Sequence, residues 1–414
     1  MNSFIQIPEN SDFSIYNIPF GMAVINDDDI TAVSRIGDTI IHLSNLFNEG
    51  YFEEFNLDFN PFEALVLNDF IELGKEFTVP FREKIQSLLL ENSDLDNNPE
   101  IHSEIFFPIE NVEMIMPIHV SNYTDFYSSK EHATNVGKMF RDPENALLPN
   151  WKHIPVGYHG RASSIIVSGI DIHRPKGQTK KEEDAFPTFG PTQALDFELE
   201  MAFITNQNTE LGENISIENA ENYIFGLCLF NDWSARDIQK WEYVPLGPFL
   251  SKNFASSISP WIVTLEALDF VRISGPNQEP KVLPYLQCEG NKNFDIQLEV
   301  LLQPENSEEN IICKTNFKYM YWNMAQQLAH HSVNGCNIET CDLYASGTIS
   351  GSDENSFGSM LELAWQGKKP LLLSDGSERK FILDNDTVII RGFAEKDGRK
   401  VGFGEVKAKI LPAK

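Results

Sequence analysis

The chain has 414 residues, 42% of them hydrophobic, and carries 61 acidic against 32 basic side chains for a formal charge of −29. That length and composition describe a folded protein with a substantial core, arranged as one large domain plus a smaller one, and exclude a disordered chain. The charge repels phosphate backbones and anionic membrane surfaces, and no basic stripe offsets it, so neither nucleic acid nor a membrane is expected as a partner.

Short alternating segments at 20–25 and 39–43 predict strands, with turns at Asp27-Asp28-Asp29 and Gly37-Asp38. Asn60-Pro61 places an N-cap before a helix running to about Leu73, and Pro80 opens a second with Phe81, Ile85, Leu88 and Leu89 on one face. The acidic stretch 91–104 reads as an exposed linker, which divides an N-terminal module, 1–107, from a larger domain, 108–414. In that domain β-rich runs dominate, at 165–172, 198–205, 223–230, 261–265, 296–302 and 387–393. A helix over 322–333 ends at Asn334-Gly335, and 176–183 reads as a charged loop. The fold class expected is mainly β with some α.

Cys228, Cys288, Cys313, Cys336 and Cys341 are odd in number and lack C-x-x-C spacing, which predicts free thiols in a reducing compartment. No basic-then-apolar stretch follows Met1, and no run is long enough to span a bilayer, so the expected location is cytoplasmic.

The most informative feature is a set of four carboxylates. Asp125 lies in Tyr-Thr-Asp-Phe-Tyr, Glu198 and Glu200 in Asp-Phe-Glu-Leu-Glu, and Asp232 in Phe-Asn-Asp-Trp-Ser-Ala-Arg-Asp. Residues two apart on a strand share a face, so Glu198 and Glu200 can reach one ion. Oxygen ligands without Cys or His favour Mg²⁺, Ca²⁺ or Mn²⁺ over zinc, against the alternative of a solvated acidic pair. His132 follows Asp125 in a polar stretch and is the candidate general base, because imidazole titrates near neutral pH. Arg236 and Gln239 are spaced to share a helical face just after an apolar strand. Lys252 lies in Gly-Pro-Phe-Leu-Ser-Lys-Asn-Phe-Ala-Ser-Ser, where small residues let the backbone approach an ion or ligand. A surface histidine and a surface lysine are the plain alternatives.

These motifs, with Pro155 to Ser164 (Pro-Val-Gly-Tyr-His-Gly-Arg-Ala-Ser-Ser) and the stretches 245–261 and 345–363, resemble the fumarylacetoacetase family over nearly the whole chain. The resemblance implies a small SH3-like β-barrel module followed by a β-roll catalytic domain, assembled as a homodimer. It implies one Mg²⁺ or Ca²⁺ held by Asp125, Glu198, Glu200 and Asp232, with Lys252 and Ser256 beside it. His132 would deprotonate water and Glu362 would orient its imidazole, a role that spacing does not reveal. Arg236, Gln239 and Lys252 would stabilise developing negative charge, and Tyr127, Arg141, Tyr158, Gln239, Tyr243 and Thr348 would line the pocket for a diketo acid. Arg141 suits a substrate carboxylate because its planar fork can bind both oxygens.

The reaction implied is hydrolysis of 4-fumarylacetoacetate to fumarate and acetoacetate, the last step of tyrosine and phenylalanine catabolism. Two rivals stand beside it: acylpyruvate hydrolysis or oxaloacetate decarboxylation on the same fold, and a non-catalytic acidic metal-binding protein. The chain departs from the family pattern at Ala255 and Ser256, where glycine and threonine are expected. The serine keeps the hydroxyl, and the alanine adds a methyl group beside a tight backbone.

Overall fold

The computed structural model describes residues 1–9, 11–26 and 29–414, so the turn expected at Asp27 and Asp28 lies outside the described residues. The fold is mixed and mostly β. Near the N-terminus, Phe106–Pro108, Thr39–His42, Asp29–Ile36, Gly21–Ile25 and Val112–Ile115 form, in that spatial order, an antiparallel sheet of five strands. Its two edge strands are consecutive in sequence, joined only by the turn Ile109–Asn111. A link that short reaches about 14 Å, so the sheet must curl until its edges approach each other. No ladder joins those edges among the described residues, so the sheet is curled and open, and the closed barrel expected is not formed.

Two of the local expectations for this region need correction. The helix Lys75–Leu88 starts behind Gly74 and runs through Pro80, although its buried face does include Phe81, Ile85 and Leu88. Only Asn68–Glu72 is helical in the stretch expected at 60–73, because Asn60 Oδ1 accepts the Phe62 N–H at 3.0 Å and holds a turn instead. The stretch 91–104 is mostly exposed, and within it Leu95 is buried and the chain folds into the helical turns Pro99–Ile101 and His102–Ile105.

The centre of the molecule is an eight-stranded mixed sheet. Along its path lie Gly157–His159, Tyr123–Phe126, Leu343–Ala345, Leu199–Thr205, Ile224–Asp232, Ser256–Ile258 and Ile165–Val167, with Val263–Thr264 paired off that path. Its two longest strands are apolar without alternation, and the packing explains why. Met201, Phe203, Leu227 and Leu229 enter one core, while Ala202, Ile204, Cys228 and Phe230 enter another. A sheet buried on both faces needs apolar residues at every position. The first core is shared with a five-stranded sheet of Asn310–Asn316, Gln297–Gln303, Thr387–Lys396, Arg399–Leu411 and Ile172–His173. The second is shared with the N-terminal module, where Phe20 and Phe70 pack on Phe225.

The helix expected over 322–333 is present as Met324–Ser332, closed at its start by an Asn323–Gln326 capping box. The charged loop expected at 176–183 is in part a hairpin strand, Lys176–Thr179, paired with Thr188–Pro191.

Candidate active site

Where Leu199–Thr205 pairs with Ile224–Asp232, the apolar run of each strand gives way to carboxylates. Asp232 donates its N–H to the Glu198 carbonyl at 3.2 Å, which sets these two residues across from each other. Asp125 joins from the neighbouring parallel strands, opposite Ala345, which in turn lies opposite Ala202. Directly opposed residues share a face of the sheet, so a small side chain at Ala345 leaves room between the acidic groups. Asp125, Glu198, Glu200 and Asp232 are all buried, and each offers an oxygen within 4.8 Å of the others.

Charge and hydrogen bonding decide whether such a cluster is self-sufficient. Lys252 Nζ contacts Glu198 Oε2 and lies 2.6 Å from Asp232 Oδ2, and Arg236 Nη2 lies 2.8 Å from Glu198 Oε1 without its N–H bonds aimed at that oxygen. Arg236 is shared with the buried Asp196, so these two cations leave the four clustered carboxylates with surplus negative charge. Tyr158 donates to Asp232 Oδ2 at 2.9 Å, Ser256 donates to Oδ1 at 3.0 Å, and the Gly347 N–H donates to Glu200 Oε2 at 2.9 Å. Asp125 Oδ1 and Glu200 Oε1 are buried with no hydrogen-bond partner among the described residues. Two orphaned oxygens and surplus negative charge fit a divalent hard cation, for which carboxylate oxygens are the ordinary ligands.

The titration behaviour has the same origin. Burial, and then the neighbouring Asp232, pushes the Asp125 carboxyl well above the usual range; burial and then Asp125 do the same to Glu200. Burial acts on Glu198 in that direction too, but Lys252 and Arg236 outweigh it and hold the group at about 2.

His132 lies in the helix Lys130–Phe140, whose N-cap Ser129 accepts the His132 N–H at 3.2 Å. Its Nδ1 lies 2.6 Å from Glu362 Oε2. Ser350 and Ser359 donate to the same oxygen at 2.9 and 3.0 Å, and Asn135 donates to Oε1 at 2.9 Å. That network assigns the ring proton to Nδ1 and leaves Nε2 as the free acceptor. Burial alone would raise the Glu362 carboxyl, but His132 and these donors lower it, so it stays ionised.

Around them is a cavity of about 560 Å³ lined by Asp125, Tyr127, His132, Arg141, Tyr158, Glu198, Glu200, Arg236, Gln239, Tyr243, Lys252 and Thr348. Of the remaining candidates from sequence, Asp232 is the fourth carboxylate of the cluster, Ser256 lies against it and Glu362 lies behind His132, so all fifteen converge on one place. The shared helical face of Arg236 and Gln239 is visible as a 3.2 Å hydrogen bond from Nη1 to Oε1. Tyr243 is half exposed at the rim. Arg141 donates from Nε and Nη2 to the Ala146 carbonyl at 3.1 and 2.7 Å. The loop carrying that carbonyl crosses the helix at Gly137, where any Cβ would lie 2.0 Å from the Ala146 oxygen. The Ala255 methyl is accommodated in the core.

Asn135, Ser350 and Ser359 were not singled out from sequence. A signal did exist for the last, because Ser359-Met-Leu-Glu362 is the capping-box pattern and Ser359 Oγ does accept the Glu362 N–H. Asn135 and Ser350 had no signal of their own.

Two family models match in tandem, "Fumarylacetoacetase N-terminal" over residues 16–117 and "Fumarylacetoacetate (FAA) hydrolase C-terminal" over residues 121–410. The fumarylacetoacetase of Dictyostelium discoideum is 52% identical over 100% of this chain and 98% of its own length, and that of Homo sapiens 49% identical over 99% of each. Among solved structures, the fumarylacetoacetate hydrolase of Exiguobacterium antarcticum superimposes with a TM-score of 0.55 over 96% of this chain and 100% of its own, at 16% identity, and so supports the fold alone. With both models matched in order and half the residues shared with full-length relatives, this chain belongs to the fumarylacetoacetase family.

Proposed function

We infer that the chain is a hydrolase acting on a carbon–carbon bond, that of 4-fumarylacetoacetate, and releases fumarate and acetoacetate at the end of tyrosine and phenylalanine catabolism. The observation that carries this reading is the pairing of the His132–Glu362 dyad with an unsatisfied carboxylate cluster in one cleft of a chain that is half identical to fumarylacetoacetases.

The residues suit the roles expected of them. His132 Nε2 takes a proton from water, and the hydroxide adds to the carbonyl next to the fumaryl group. The carbon–carbon bond then breaks with its electron pair leaving as the acetoacetate enolate, and the proton held by His132 returns to that carbon. Glu362 keeps the imidazole in the required tautomer and orientation. Arg236, Gln239 and Lys252 are preorganised donors for the oxyanion and enolate, and Arg141 with Tyr127, Tyr158, Tyr243 and Thr348 binds the diketo acid. Asp125, Glu198, Glu200 and Asp232 would hold Mg²⁺ or Ca²⁺, with Lys252 and Ser256 as neighbours, and a bound ion would supply Lewis-acid polarisation of the diketone oxygens.

Other parts of the reading are ours as well. The curled N-terminal sheet supports an SH3-like module ahead of a β-roll domain, and the pairing of Val112–Ile115 with that sheet favours a division a few residues after 107. The exposed apolar residues Val244, Leu246 and Phe249 beside the cleft support a homodimer. Five free cysteines support a reducing, cytoplasmic setting, and no helix among the described residues is long and apolar enough to cross a membrane.

The test is loss of the diketone absorbance of 4-fumarylacetoacetate, measured with Mg²⁺, with Ca²⁺ and with a chelator, with products identified. Chelator-sensitive formation of fumarate and acetoacetate is expected, and an intact substrate with folded, metal-loaded protein would end this reading.

A further inference from the structure

Asp196 is fully buried and lines no part of the cleft, yet it touches two halves of the machinery. The strand pair Leu195–Asp196 with Ser234–Ala235 sets it opposite Ser234, next to the start of the helix Arg236–Glu242. Arg236 Nε donates to Asp196 Oδ2 at 2.7 Å. The Leu361 N–H donates to the same oxygen at 3.0 Å, and the Met360 N–H donates to Oδ1 at 2.6 Å. Those last two donors are the first N–H groups of the helix Met360–Leu363, which carries Glu362.

A helix of four residues cannot hold itself together, since nucleation is unfavourable and its first N–H groups have no partner within it. Asp196 supplies that partner as an anion, where the helix favours one. The same carboxylate fixes the Arg236 guanidinium, whose other contacts are Gln239 Oε1 and Glu198 Oε1. An amide in its place accepts through one oxygen only and turns an N–H₂ group against donors.

We propose that Asp196 is a positioning residue that holds the oxyanion donor Arg236 and the His132–Glu362 dyad in register with each other, a role that rests on the active-site reading above. It makes no contact with substrate. Its effect is on the chemical step, because misplacing the donor or the base by a fraction of an ångström weakens contacts formed in the transition state more than those that bind the ground state.

The decisive measurement is kcat and KM of Asp196→Asn on 4-fumarylacetoacetate, beside wild type, Glu362→Gln and the double variant, with Mg²⁺ affinity by calorimetry. For Asp196→Asn kcat is expected to fall by about 10- to 100-fold with KM held within about threefold. In the Glu362→Gln background the same change is expected to cost at most about a third of that factor, the coupling of groups that act as one unit. Losses that multiply, a loss confined to KM, or a matching collapse of Mg²⁺ affinity would overturn the role and leave Asp196 a general structural ion pair. Wild type that leaves the diketone intact would remove the activity and this role together, whereas active wild type with an unaffected Asp196→Asn removes the role alone.

Should Asp196→Asn not fold, Asp196→Glu keeps the charge and both acceptor oxygens but shifts them by the length of one methylene, which must displace the Arg236 guanidinium or the Met360–Leu363 helix. A fall in kcat at constant KM supports the proposal there, and an unchanged kcat overturns it.

Discussion

Glu362→Gln isolates the orientation of the base from its presence. Glu362 is buried and accepts from His132, Asn135, Ser350 and Ser359. In the variant the new N–H₂ can take the position of Oε1, because Asn135 can flip its own amide and offer an oxygen there. The remaining Gln oxygen then still receives the Nδ1 proton and the two hydroxyls, and the imidazole keeps its tautomer. What is lost is the charge. A hydrogen bond to an ionised group is worth about 1.5–3 kcal/mol, and that loss is felt when the ring becomes imidazolium. At about 1.36 kcal/mol per decade this lowers kcat by about 10- to 150-fold. If the amide settles the other way, Nδ1 must accept, Nε2 becomes the N–H, and the loss approaches about 10⁴-fold, as in triads whose orienting carboxylate is made an amide. KM should hardly move, since Glu362 does not line the cleft. Steady-state absorbance assays with thermal melts as a folding control decide it, and kcat within about threefold of wild type would refute the argument.

Three further outcomes follow from the same geometry. Asp125→Ala removes one of the four clustered carboxylates, and calorimetry should show Mg²⁺ or Ca²⁺ affinity falling by about tenfold or more; unchanged affinity would exclude Asp125 as a ligand. Asp125 and Glu200 have folded values raised above their unfolded ones, so what they contribute to the metal-free protein is present at low pH and lost as pH rises past the ordinary carboxylate range. The gain in Tm on adding Mg²⁺ should therefore grow from pH 5 to pH 8, with protons released on binding, and a pH-independent gain would contradict it. Gly137→Ala must displace the Ala146 carbonyl that holds Arg141, at a cost of about 1–3 kcal/mol, and should raise KM more than it lowers kcat.

What the sequence made legible followed from burial. Strands such as Leu199–Thr205 and Ile224–Asp232 announced themselves because both faces are covered, which leaves an unbroken apolar run. The strand Arg399–Leu411, the longest in the described residues, did not, since glycines and lysines interrupt its pattern and half of its positions are only partly buried. Asp29–Ile36 is not legible in the same way, because the run of three aspartates at 27–29 reads as a turn and hides its start. Within the site, Glu198 with Glu200 and Arg236 with Gln239 could be read from local spacing. Glu362 could not, because it meets His132 across 230 residues of chain, and only the family resemblance brought it forward. Asp196 stood in plain view in Asp-Phe-Glu-Leu-Glu, but nothing in one sequence tells a carboxylate that binds backbone N–H groups from one that faces water.

Among the described residues the curled N-terminal module contributes no side chain to the cleft, yet Phe20 and Phe70 cover Phe225 on the same face of the sheet that carries the carboxylates at its ends. Damage there has a different signature from damage at the site. A destabilising change at Phe20 or Phe70 bares apolar surface on that sheet, so it should shorten the lifetime of the molecule and draw it toward aggregation or proteolysis, while every surviving molecule turns over normally. A cell carrying such a change would be short of enzyme, and lower temperature or a small molecule bound in the cleft would restore activity by restoring abundance. A cell carrying a change at His132 would hold its full complement of protein and gain nothing from either.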